Sequence, residues 1–125
     1  MMTPHQLVVE AKAQIQEVTV AGALQLLTEG IVVIDVREPY EFEAGNLPGS
    51  INIPRGVLEF KTPDHPALAN RQAKILLYCR TGGRSAMAAH SLQRLGYFQP
   101  VSMDGGYEAW VAHHQAVIKD NTDFS

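Results

Sequence analysis

The run Ile31-Val32-Val33-Ile34 constrains the fold more than any other feature, because it places β-branched residues at four consecutive positions between turn signals. A strand with one wet face alternates apolar and polar residues, whereas an unbroken apolar run belongs to a strand covered on both faces, as in a parallel sheet. Ile75-Leu76-Leu77-Tyr78 repeats the signature, Ile51-Asn52-Ile53 and Pro100-Val101-Ser102 are shorter candidates, and Val18 to Val20 reads as a short extended piece. These candidates alternate with helical patterns, which implies right-handed crossovers. The expected class is α/β: a parallel five-stranded sheet with helices on both faces, plus an N-terminal helix.

The helical signals are local. Thr3-Pro4-His5-Gln6 reads as a capping box with proline at the first helical position, and Leu7, Ala11, Ile15 and Val18 follow at helical spacing. This predicts an amphipathic helix over 1–17, packed on the body or on a partner. Gly22 to Leu27 reads as a second helix stopped at Gly30, and Pro39 opens another carrying Tyr40 and Phe42. Arg84 to Leu95 forms the next, closed by Gly96, and Gly106 to Ile118 the last, with Tyr107, Trp110, Val111, His114 and Ile118 on its apolar stripe. Arg55 to Gln72, with Pro63 and Pro66 among polar residues, reads as an irregular connection holding a turn or two of helix.

At 125 residues the chain is the size of one domain, read here as the N-terminal helix (1–17), a main domain (18–118) and a C-terminal tail (119–125). A net charge of −3 supplies no basic field for nucleic acid or for an anionic membrane. No apolar run nears the roughly 20 residues that span a bilayer, and Met1 to Glu10 lacks the marks of a signal peptide, so the expected location is cytoplasmic. A single cysteine excludes an internal disulfide, a CxxC pair and a thiolate-rich zinc site, and adjacent His113 and His114 point to different faces of a helix. No metal site is read.

In such folds ligands bind where loops leave the carboxyl ends of the strands. The loop after Leu76-Leu77-Tyr78 reads Cys79-Arg80-Thr81-Gly82-Gly83-Arg84-Ser85 and runs straight into a helix. A cysteine there faces the positive end of the helix dipole, with two arginines close by, and all of these favour thiolate over thiol. Gly82 and Gly83 let successive backbone N–H groups turn inward as an anion-binding nest around Cys79. Arg80 and Arg84 would orient an oxyanion such as thiosulfate. Taken singly these residues have ordinary readings, a buried thiol, solvated arginines and a glycine turn. Together, strand, cysteine, glycine-rich basic loop and helix specify a nucleophile site.

Between Val18 and Ile118 the sequence resembles the rhodanese family. Asp35-Val36-Arg37-Glu38, Glu41-Phe42 and Gly45-Asn46-Leu47-Pro48-Gly49-Ser50-Ile51-Asn52-Ile53-Pro54 resemble its first signature, Cys79 to Ser85 its active-site loop, and Gly105-Gly106 with Ala109-Trp110 its closing motif. The resemblance implies a sulfurtransferase in which Cys79 takes the outer sulfur of thiosulfate or a similar small anionic donor, becomes a persulfide and passes the sulfur to cyanide, a thiol or an acceptor protein. It implies no cofactor or metal. Arg80, Thr81, Gly82, Gly83, Arg84 and Ser85 would hold the substrate, while Asp35 and Arg37 support the site, ion-pairing with acids such as Glu41. Asn46 stands where the family usually has histidine, a mainly structural position, so little effect on chemistry is expected. Two alternatives stand beside this reading. One is a non-catalytic, regulatory rhodanese-like module, against which the intact Cys79 loop speaks. The other is a cysteine phosphatase or arsenate reductase, whose loop is one residue longer between cysteine and arginine and follows histidine where this chain has Tyr78.

Overall fold

The computed structural model describes residues 1–113 and 115–119. Strands β1 (Gln16–Val18), β2 (Val32–Asp35), β3 (Ile51–Asn52), β4 (Lys74–Tyr78) and β5 (Gln99–Met103) form one parallel sheet in the order β1-β5-β4-β2-β3. The two long apolar runs pair with each other, Val33 opposite Leu76 and Ile34 opposite Leu77. Strand β4 is therefore central, and the loop that follows it emerges between the ends of β2 and β5.

Alternation along β4 sorts the core into two layers. Ile75, Leu77 and Cys79 face Leu58, Ala88, Ala89, Leu92 and Tyr97, while Leu76 and Tyr78 face Val20, Ala23, Leu26 and Trp110. Helices α4 (Leu58–Lys61) and α5 (Gly83–Arg94) thus cover one face of the sheet, and α2 (Val20–Leu27) and α6 (Gly106–Ala112) cover the other, with α1 (Pro4–Gln14) lying along α5 and α3 (Pro39–Ala44) following β2. Leu76, Leu77, Ala88, Ala89 and Leu92 are fully buried. Each large apolar side chain so covered contributes on the order of 1.5–3 kcal/mol.

The expected capping box is present: Gln6 N–H donates to Thr3 Oγ1 at 3.1 Å, and Thr3 N–H donates to Gln6 Oε1 at 2.8 Å. The helix is shorter than the sequence pattern predicts. It ends at Gln14, and Gln16, Glu17 and Val18 instead pair with Val101, Ser102 and Met103. The helical spacing of Ile15 and Val18 loses because pairing with β5 satisfies backbone groups along a sheet edge that helix would leave open. Thr19 then caps α2 through its Oγ1, which accepts Gly22 N–H at 3.2 Å.

The last helix also stops early, at Ala112 and not at Ile118. Trp110 Nε1 donates to Ala116 O at 2.8 Å, and Asn46 and Ile118 exchange two backbone hydrogen bonds of 2.8 Å each, so the segment after the helix folds back on the loop before β3. Of the supposed apolar stripe, Trp110 is buried but Val111 and Ile118 are exposed. His114, assigned to that stripe, lies outside the described residues, as does most of the tail. The 55–72 connection is built from short helical turns at Arg55–Val57, Leu58–Lys61, Thr62–Asp64 and Pro66–Leu68. Among the described residues, no helix is long and apolar enough to cross a membrane.

Candidate active site

Cys79 extends β4 by one residue on the α5 side of the sheet and is almost fully buried, at 1% exposure. Its Sγ accepts the N–H of Gly82 at 3.1 Å, so the loop curls back over the sulfur before α5 begins. Gly82 has φ +113°, a conformation that L side chains rarely adopt, and it packs closely on the Asp104-Gly105 backbone. Sγ also lies 3.5 Å from Ser85 Oγ, which is 2.8 Å from Ser102 Oγ. With Ser102 as donor, the Ser85 proton is free to turn to the Gly82 carbonyl, 3.3 Å away, or to an anionic sulfur. Thr81 is exposed at the loop tip, and Gly83 opens α5.

A second helix start clamps the outer side of the loop. Tyr107 N–H donates to Cys79 O at 2.8 Å and Glu108 N–H to Arg80 O at 3.0 Å, both from the first turn of α6. The chain must approach so closely that a Cβ on Gly106 would lie 2.5 Å from the Cys79 carbonyl oxygen and 2.6 Å from Arg80 C and O. Gly106 therefore belongs to the site, as do Ser102 and Glu108. The sequence placed Gly106 in the last helix and, by the family resemblance, in the closing motif, without a role beside the cysteine, and nothing in it marked Ser102, one polar residue in a short strand.

Both loop arginines are paired. Arg80 reaches outward, 68% exposed, and its Nε donates to Glu108 at 2.6 Å. Arg84 forms a forked pair with Glu41 of α3, at 2.8 and 3.1 Å. The Arg84 hydrogen bonds hold the Glu41 carboxyl down to about 2, and the hydrogen bonds and charge of Glu41 in turn raise Arg84. Glu41 thus pairs with Arg84, and not with Arg37 as the family resemblance suggested. Arg37 turns to Asp35, with Nε at 3.1 Å from both carboxylate oxygens and Nη2 at 2.7 Å from Oδ2, and also donates to Gly45 O at 2.6 Å. Burial opposes the Arg37 charge, but the Asp35 hydrogen bonds and charge outweigh it and raise its pKa. Its guanidinium stacks 4.3 Å from the centre of the Tyr107 ring. Asp35 and Arg37 so brace the end of β2 against α6 without reaching Cys79.

The Glu41–Arg84 pair has a pH signature. A carboxyl whose folded pKa lies near 2, against an ordinary 4.5, adds stability above about pH 4.5 that is lost as pH falls towards about 2. The stability difference between the native chain and Glu41→Gln, from denaturant unfolding, should therefore shrink across that window. A difference that stays constant from neutral pH to pH 2 would contradict the pairing.

Asn46 is buried and works within its own turn, its Nδ2 donating to Phe42 O at 2.9 Å. Tyr78 Oη, which accepts Leu47 N–H at 3.1 Å, is raised above the ordinary tyrosine range mainly by burial and further by the charge of Asp35. It points into the opposite layer from Cys79. Beside the loop opens a cleft of about 370 Å³ whose walls include Arg37, Tyr40, Glu41, Ala44, Arg80, Tyr107 and Glu108.

The rhodanese-like domain model matches residues 19–113. A thiosulfate sulfurtransferase GlpE from Pseudoalteromonas translucida is 33% identical over 110 residues, covering 83% of this chain and 96% of its own. A sulfurtransferase from Allochromatium vinosum is 28% identical over 91 residues, covering 73% and 81%. Among solved structures, a Rhodopseudomonas palustris protein of unknown function, described as a possible tyrosine phosphatase, superposes with a TM-score of 0.85 at 31% identity over 94% of this chain and 96% of its own. The polysulfide-sulfur transferase homodimer of Wolinella succinogenes superposes at 0.77 with 25% identity over 94% and 88%. With the domain model matched over most of the chain, the parallel sheet in place and the sulfurtransferases among its relatives, the chain belongs to the rhodanese-like domain family, and its activity is that of a sulfurtransferase.

Proposed function

We propose that Cys79 carries sulfane sulfur as a persulfide, taking it from thiosulfate or a similar donor and delivering it to cyanide or a thiol, on a small molecule or an acceptor protein. With thiosulfate, the thiolate attacks the outer sulfur, the new Sγ–S bond forms as the donor S–S bond breaks, and sulfite leaves with the electron pair. Attack of cyanide or a thiolate on that outer sulfur then restores Cys79 and yields thiocyanate or a new persulfide. The observation that carries the reading is the Gly82 N–H directed at Sγ from the start of α5, a donor already in place for negative charge on sulfur. In this reading the loop residues Thr81, Gly83, Arg84 and Ser85 hold the terminal sulfur together with Gly82, and Arg80 and Arg84, each paired with a carboxylate at rest, stand at its rim. The chemistry needs no metal or cofactor, and a reducing cytoplasm suits an unpaired thiol.

The phosphatase reading fits less well. Four residues separate Cys79 from Arg84, and that arginine is turned to Glu41. Tyr78 has its hydroxyl on Leu47 in the opposite layer. The test is turnover: protein with cyanide and either thiosulfate or an organic hydropersulfide should form thiocyanate catalytically. No thiocyanate above the protein-free rate with either donor would overturn the proposal.

A further inference from the structure

The cations of the loop and the adjoining cleft, among the described residues, are Arg37, Arg80 and Arg84. Each is already matched by a carboxylate: Arg37 by Asp35, Arg80 by Glu108 and Arg84 by Glu41. Lys12 of α1 is likewise held by Glu17 and by Asp104, which directly precedes Gly105-Gly106, at 3.4 and 3.5 Å. The mouth of the site is therefore close to neutral. Thiosulfate, a dianion, needs positive charge that is not already matched. To reach it, the donor must displace Glu41 from its forked pair with Arg84 or Glu108 from Arg80, and leave that carboxylate beside its own sulfonate, where like charges repel.

The cleft points the same way. Its volume of about 370 Å³ is that of about a dozen water molecules, far more than sulfite requires. Tyr40 and Tyr107 line it beside Ala44, a lining suited to a carbon skeleton.

From this pairing we infer that the site takes its sulfur from organic hydropersulfides of low charge in preference to thiosulfate, with Glu41 and Glu108 as the residues that set the preference. The inference rests on Cys79 as the sulfur carrier. In the transfer, Cys79 thiolate attacks the outer sulfur of R–S–SH, the Sγ–S bond forms, the donor S–S bond breaks, and R–S⁻ leaves with its electron pair while the proton stays on the transferred sulfur. Charge and atoms balance with no further reactant. R–S⁻ then departs from a mouth that does not hold anions strongly.

The experiment measures the second-order rate of sulfur gain on Cys79, by rapid quench and intact mass, with thiosulfate and with benzyl hydropersulfide. It compares the native protein with Glu41→Gln and Glu108→Gln. Removing one carboxylate charge frees an arginine for the sulfonate, so the thiosulfate-to-hydropersulfide rate ratio should rise about tenfold or more in Glu41→Gln, about one pKa unit of interaction. It should rise by a smaller factor in Glu108→Gln, whose exposed site should not affect folding. If Glu41→Gln does not fold, the rise in Glu108→Gln decides. Ratios that stay level or fall in the folded variants overturn the inference and leave the persulfide carrier standing. Absence of sulfur gain from both donors removes the carrier and the inference together.

Discussion

Cys79→Ser is expected to keep the fold and lose sulfur transfer by about a thousandfold or more. Serine is smaller than cysteine but fits the same place, where its hydroxyl can accept Gly82 N–H and face Ser85, so no buried polar group is orphaned. A hydroxyl is a far weaker nucleophile at neutral pH and cannot hold sulfane sulfur, so both halves of the cycle stop. Thiocyanate formation and a melting curve on the same sample check this. A folded variant that keeps more than a tenth of native turnover would remove Cys79 from the mechanism.

Gly106→Ala carries the second largest effect, this time through the scaffold. Its Cβ would meet the carbonyl groups of Cys79 and Arg80 at 2.5 and 2.6 Å, and the residue sits at φ +58°. The loop must shift or α6 must withdraw, and either breaks the hydrogen bonds from Tyr107 and Glu108 N–H that hold the outer side of the loop. The expected cost is about 2–4 kcal/mol of stability, with transfer reduced about tenfold or more as the Gly82 N–H moves off sulfur. Gly30→Ala is the control, since Gly30 has φ +70° but no atom within 4 Å of a Cβ. It should cost only the backbone strain, about 1–2 kcal/mol, and leave transfer unchanged. Unfolding midpoints and turnover for the two variants separate close approach from strain. Equal losses at both positions would show that the contact with the cysteine loop is unimportant.

What could be read before the structure follows from the range of the forces involved. The buried strands β2 and β4 are written in continuous apolar runs, and the cap of α1 needs only Thr3 and Gln6, so both were legible. Strand β1 was not, because Gln16-Glu17-Val18 becomes a strand through pairing with residues 101–103, and Ile15 and Val18 meanwhile continue a helical spacing. The end of α6 failed similarly, since Ile118 is set by an exchange of hydrogen bonds with Asn46 across 72 positions of sequence. Within the site, the loop Cys79 to Ser85 is contiguous and announces itself. Its charge partners are not: Arg84 meets Glu41 across 43 residues and Arg80 meets Glu108 across 28, and several acids could have taken either place. Ser102 touches Ser85 only because β5 lies next to β4.

The most direct measurement is the intact mass of the protein after exposure to a sulfane-sulfur donor, without reductant, followed by cyanide. The persulfide account predicts a gain of one sulfur atom, localised to the peptide containing Cys79, absent in Cys79→Ser and reversed by cyanide with formation of an equal amount of thiocyanate. Turnover with no sulfur gained on Cys79, or a sulfur gain that persists in Cys79→Ser, would contradict it.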